Sequence, residues 1–100
     1  MLNIGITGQT GFIGTHLYNT IGLYPEAYNR IPFEDAIFEN EDKLNFFVKS
    51  CDVIVHLAAL NRHNEPEIIY QTNIKLVKQL VGACEATESK PFILFSSSTQ

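Results

Sequence analysis

"NIGITGQTGFIG", residues 3–14, decides the fold. In its first half, with Leu2 before it, Leu2, Ile4 and Ile6 alternate with Asn3, Gly5 and Thr7, the two-residue period of a short strand. Gly5 inside that pattern marks an interior strand with something packed closely on one side. The second half sets Gly8, Gly11 and Gly14 three residues apart. Each glycine costs a strand or helix about 0.5–1 kcal/mol relative to alanine, so such a cluster trades local stability for something else.

After Gly11 the apolar residues Ile13, Leu17 and Ile21 recur every four positions as a helix stripe, and Gly22 stands where a C-terminal cap is expected. Gly8 then falls where the chain leaves the strand and a left-handed φ is convenient. Gly11 falls in the first helical turn, where a missing Cβ lets a ligand approach the free N–H groups of Phe12 and Ile13. Gly14 lies one turn further on, where a bare backbone lets the helix press against the strands. Orphan N–H donors together with the helix dipole make a diphosphate cradle. The spacing is Gly-x-x-Gly-x-x-Gly rather than the Gly-x-Gly-x-x-Gly dinucleotide fingerprint, so the strand before and the helix after carry the assignment. The alternative reading of the same glycines is a purely structural turn.

Further along, "YPEAYNRIPF" (24–33) reads as a loop and then a short strand around 27–31, closed by Pro32. "AIFE" (36–39) reads as another short strand, and Asn40 as the N-cap of a helix with Leu44, Phe47 and Val48 on one face. "DVIVHLAA" (52–59) is the clearest strand, almost continuously apolar as in a parallel sheet covered on both faces. Asn64 and Glu67 form a capping-box-like pair around Pro66 in a first helical turn. Ile69, Asn73, Leu76, Val77, Leu80, Val81 and Cys84 trace the face of the helix that follows. "PFILFSSS" (91–98) closes the series as an apolar strand entered through Pro91. Strands alternating with helices call for an α/β fold: a doubly wound parallel sheet, Rossmann-like, with right-handed crossovers.

The bulk properties agree with one small domain: 100 residues, 45% apolar and 18% charged, is an ordinary soluble composition. A net charge of −4 argues against nucleic-acid and anionic-membrane partners. The longest apolar run, residues 53–60, is broken by His56 and far too short to span a bilayer. With no secretory signal at the N-terminus, the expectation is a cytoplasmic protein. Cys51 and Cys84, far apart in sequence, read as reduced core thiols, and no metal site is expected. His56 reads as a buried, hydrogen-bonded strand residue and His16 and His63 as surface residues, none with a catalytic part.

"TGQTGFIG" resembles the Thr-Gly-x-x-Gly-Phe-x-Gly signature of the extended short-chain dehydrogenase/reductases, a family of sugar-nucleotide epimerases, dehydratases and reductases. Thr7, Gly8, Gly11, Phe12 and Gly14 meet every fixed position. "DVIVHLAA" is similar to the family's Asp-x-x-x-His-x-Ala-Ala strand end, through Asp52, His56, Ala58 and Ala59. "NIKLVKQL" (73–80) resembles its Asn-containing helix, and "LFSSST" (94–99) the strand that delivers an active-site serine. "HLAALNR" and "FSSSTQ" look closest to the NADPH-dependent 4-keto-sugar-nucleotide reductases of capsule and O-antigen synthesis, on short strings such as Asn61-Arg62 and Thr99-Gln100.

The resemblance implies roles. Gly8, Gly11, Phe12, Ile13 and Gly14 would hold the cofactor diphosphate. Leu57, Ala58 and Ala59 would flank the ribose, with Asn73 and Ser96 completing the cofactor contacts. Ser98 would orient the substrate carbonyl, and Asn61 and Arg62 would face the nucleotide-sugar substrate. Taken alone, the alanine pair reads as core packing and the serines as a strand end. Arg30 is read as following the second strand, where many NAD-preferring folds carry an acidic residue. An arginine there could pair with a 2′-phosphate and favour NADP over NAD, or be an exposed surface residue. Glu34 and Asp35 could play the opposite role if the strand ends elsewhere.

The implied activity is NADPH-dependent reduction of a 4-keto nucleotide sugar. The alternatives are an NAD-dependent epimerase or dehydratase and a non-catalytic dinucleotide-binding protein. The family's Tyr-x-x-x-Lys pair, in which lysine tunes a tyrosine for proton transfer, has no match: Gly22, Tyr28, Pro32 and Ile74 follow the four tyrosines at that spacing. The expectation is therefore the N-terminal, cofactor-binding portion of a longer enzyme, inactive by itself. The strand at 92–96 is expected to leave an apolar edge open, which favours a homo-oligomer.

Overall fold

The computed structural model describes residues 1–8, 12–57 and 64–95. The chain runs β1 (Leu2–Thr7), α1 (Phe12–Ile21), β2 (Tyr28–Ile31), a short 3-10 helix (Asp35–Glu39), α2 (Glu41–Ser50), β3 (Val53–His56), α3 (Pro66–Thr87) and β4 (Phe92–Phe95). The four strands form one sheet in the order β2-β1-β3-β4, and every pair is parallel. The chain leaves β1 toward β2 and then crosses back to lie on the other side, so the order reverses between β1 and β3. The doubly wound α/β sheet read from the sequence is the fold.

Strand alternation divides the core in two. Ile4 and Ile6 pack with Ile21, Leu17 and Tyr18 of α1, and Val53 and Val55 join them from β3. On the opposite face Ile54 packs with Phe33, Phe38, Leu44, Phe47, Val48 and Leu80, supplied largely by α2 and α3. Phe33 organises this second core, its ring 4.9 Å from that of Phe47 and 5.4 Å from that of Phe38, centroid to centroid. Gly5 is the close approach anticipated in β1: a Cβ there would run into the Phe47 ring and the Cys51 sulfur.

Local signals held for α2, where the Asn40 side chain accepts a hydrogen bond from the Lys43 N–H at 3.1 Å and Leu44, Phe47 and Val48 are buried. Elsewhere tertiary packing moved the boundaries. Residues 35–39 form a 3-10 turn, not a strand; the Ile37 N–H bonds back to the Glu34 carbonyl at 2.9 Å, and the turn drops Phe38 onto Phe33. The buried side of α1 is Gly14 and Ile21 with Leu17 and Tyr18 half-buried, whereas Ile13 is 60% exposed. The face therefore steps by three and four from Gly14, and Ile13 lies on the flank beside it. In α3 the N-cap is Glu65 and Pro66 occupies the first helical position. That sets Glu67 one residue short of the capping-box position, and its carboxylate accepts from Gln71 Nε2 at 2.7 Å instead. Gly22 follows α1 without a left-handed φ; the Arg30 guanidinium fills the space a Cβ would take.

Among the described residues β4 is the last strand of the order, and its Phe92 and Phe95 are 65% and 55% exposed. Among the described residues no helix is long and apolar enough to cross a membrane. The contact at Gly5 makes a test of the packing. Gly5→Ala is expected to lower stability by about 1–3 kcal/mol through overpacking, measured by urea unfolding. An unchanged midpoint would show that α2 stands further from β1 than the structure has it.

Candidate functional site

An open parallel sheet binds ligands outside the carboxyl ends of its strands, at the point where strand order reverses. In this chain that point lies between β1 and β3, and the residues around it come from the opening glycine stretch and the end of β3. Gly8 follows β1 with φ 76°, the left-handed conformation its place in the sequence called for. A residue with a Cβ would be disfavoured there by roughly 1–2 kcal/mol. Four residues later α1 begins. Its first turn contains no acidic residue, and the side chains of Phe12 and Ile13 lie in solvent. Phe12 rests edge-on against His16, ring centroids 5.6 Å apart. Gly14 is buried, as a helix pressed on the sheet requires.

Thr7 and His56 face each other across the reversal point. Thr7 is fully buried, and its Oγ1 lies 2.7 Å from His56 Nδ1. The same oxygen accepts from the Leu57 N–H at 3.0 Å, and that N–H is shared with the Thr7 carbonyl at 3.1 Å. The His56 ring sits between Phe38 and Phe95, 6.3 and 5.7 Å from their centroids. Burial pushes its pKa below the ordinary histidine value, so the ring is neutral near pH 7. The buried, hydrogen-bonded histidine read from the sequence is present. Its partner was not foreseen, although Thr7 and His56 both end their strands and stand directly opposite in register.

Asp52 does the corresponding job at the other end of β3. Its carboxylate accepts from the Asn3 N–H at 2.8 Å, and its own N–H donates to the Asn3 carbonyl at 2.7 Å. The Asp and His of "DVIVH" thus fasten the two ends of the β1–β3 pair.

Arg30 is corrected by the structure. It does not follow β2 but lies within it, paired with Ile4. Alternation turns its side chain to the α1 face, where the guanidinium sits 4.2 Å above the Tyr18 ring and Nη1 donates to the Tyr18 carbonyl at 3.2 Å. The residues beyond β2 are Pro32, buried Phe33, and then Glu34 and Asp35, both exposed. Asn73 is half-buried on α3. Gly11, Ala58, Ala59, Asn61, Arg62, Ser96 and Ser98 lie outside the described residues.

Residues 4–100 match the sequence model of the NAD dependent epimerase/dehydratase family. The chain belongs to that family. A comparison with curated proteins finds no significant match. Among solved structures, UDP-N-acetylglucosamine 4-epimerase from Bacillus cereus is similar at 24% identity and a TM-score of 0.75, covering 98% of this chain and 39% of that one. A point mutant of uronate dehydrogenase from Agrobacterium tumefaciens, complexed with NAD, is 26% identical with a TM-score of 0.70, covering 98% and 41%. RMD from Pseudomonas aeruginosa, complexed with NADPH, is 20% identical with a TM-score of 0.74, covering 97% and 36%. The chain thus spans about two-fifths of the length of these proteins.

The family's dinucleotide fits what this site offers. The turn at Gly8 has no Cβ, and the first turn of α1 is free of carboxylates that would repel a diphosphate. Thiol chemistry is not part of it. Cys51 is buried, and desolvation, reinforced by the Asp52 charge, pushes its thiol up to about 12; burial also raises Cys84. Iodoacetamide at about pH 8 is expected to leave Cys51 unmodified in the folded protein and to label it once urea is added. Peptide mass spectrometry reads the outcome, and fast labelling of Cys51 without denaturant would overturn this assignment.

Proposed function

We propose that this chain is the cofactor-binding portion of a reductase that acts on a 4-keto nucleotide sugar with NADPH, in the cytoplasmic synthesis of a surface polysaccharide. The observation that carries the cofactor is Gly8, held at φ 76° where the strand order reverses and opening onto a helix N-terminus with no acidic residue. Similar structures complexed with NAD and with NADPH support a nicotinamide dinucleotide. When bound, that group supplies a hydride for a keto carbon.

The chain's own residues divide the rest of the work. The turn at Gly8 and the N–H groups of Phe12 and Ile13 receive the diphosphate. Leu57, with Ala58 and Ala59, flanks the ribose. Ser98 holds the carbonyl to be reduced, and Asn61 and Arg62 meet the sugar nucleotide. Arg30 selects NADP by leaving the Tyr18 ring for the 2′-phosphate. A second reading, an NAD-dependent epimerase or dehydratase, is favoured by Glu34 and Asp35, which stand in the loop just past β2 where a carboxylate meets ribose hydroxyls. A second copy of the chain is the partner proposed for the open β4 edge.

Titration with NADH and NADPH, followed by nicotinamide fluorescence, tests the proposal. Both are expected to bind, NADPH more tightly, and Arg30→Asp is expected to reverse the preference. Gly8→Val is expected to weaken both by roughly tenfold or more, through backbone strain of about 1–3 kcal/mol. Binding of neither dinucleotide would remove the cofactor assignment, and tighter NADH binding would move it to the second reading.

A further inference from the structure

We propose that the Thr7–His56 contact is a proton-operated latch: the neutral ring holds the carboxyl ends of β1 and β3 together, and its protonation releases them and weakens dinucleotide binding. The arm of this inference that concerns affinity rests on the cofactor reading above; the latch itself does not.

The latch stands on its position. Thr7 is the last residue of β1 and the neighbour of Gly8, while Leu57 is the first residue past β3. The Thr7 hydroxyl touches both sides, lying 2.7 Å from His56 Nδ1 and accepting the Leu57 N–H at 3.0 Å. Any movement of that hydroxyl therefore shifts the turn that shapes the cradle and the start of the segment that flanks the ribose.

The surroundings make the contact sensitive to charge. The ring is faced by the Thr7 hydroxyl from β1, the Phe38 ring from the 3-10 helix and the Phe95 ring from β4. Burial alone depresses its pKa, with no charged group contributing among the described residues. An imidazolium in that cage would find no counter-charge among the described residues and would be driven toward water. The direction follows: the unfolded ring takes up a proton at about pH 6.5, the folded ring only at lower pH. The folded state thus keeps its full stability above about 6.5 and loses it as the pH falls below that value toward the folded-state pKa.

The experiment uses 15N-labelled protein between about pH 8 and pH 5. The imidazole nitrogen shifts of His56 report its protonation, exchange of the Leu57 amide reports the latch, and dinucleotide titration reports the cleft. Protection of the Leu57 amide is expected to fall as His56 titrates, with affinity falling about tenfold for each pKa unit of coupling. Thr7→Val is expected to lower the protection already at neutral pH to what the Thr7 carbonyl alone provides, and Thr7→Ser to restore it. His56→Asn is expected to flatten the pH profile of binding. A Leu57 amide that stays protected through the His56 titration, or a profile undiminished in His56→Asn, would overturn the latch. Should no dinucleotide bind at any pH, the functional reading fails, and Leu57 exchange in the wild-type chain still decides the latch.

Discussion

The pairing of β1 with β3 is the interaction on which the rest of the molecule depends. It joins residues 49 positions apart, and side chains fasten it at both ends: the Asp52 carboxylate on the Asn3 N–H, and His56 on the Thr7 hydroxyl. β2 reaches the sheet only through β1, and β4 only through β3. Without the central pair there would be two parallel couples and no shared core. The reversal of strand order, and with it the place where a ligand can sit, is a property of this one seam.

The two faces of that seam are built differently. One holds a cluster of three phenylalanines under α2 and α3, with Gly5 bare so that Phe47 and Cys51 can reach the sheet. Among the described residues the other has α1 over aliphatic side chains, and its outer margin is finished by Arg30, whose head lies over the Tyr18 ring. A long charged side chain can shield apolar surface in this way while its head stays wet. The sequence shows the charge of Arg30 but not its strand register, which sets its head over Tyr18.

That contrast describes what could be read in advance. The strand–glycine–helix unit, the Asn40 cap, the first-turn Pro66 and the apolar β3 were legible because each signal is local: a period, a cap or a ring that fixes φ. The 3-10 turn at 35–39 was not, because "AIFE" has a strand-like composition and only the pull of Phe33 on Phe38 decides otherwise. The four-residue stripe through Ile13, Leu17 and Ile21 runs one residue off at its start, where the buried face begins at Gly14 and Ile13 is exposed. At the site, the order of Gly8 and Gly14 along the chain was enough to place both. The partnership of Thr7 with His56 depends on parallel register between distant segments, which no local pattern encodes. One clue was available: Asp52 and His56 are separated by the length of the strand they fasten.

An all-parallel seam of this kind also sets a timetable. The ribosome delivers β1 first, yet β3, its partner on the inner side, is not complete until some 49 residues later. At about 5–20 residues per second, that is a wait of roughly 2–10 s. Through that interval Ile4 and Ile6 have only α1 and an edge strand for company, and the phenylalanine cluster lacks the sheet it will cover. The nascent chain therefore spends seconds with an apolar strand whose inner partner has yet to be made.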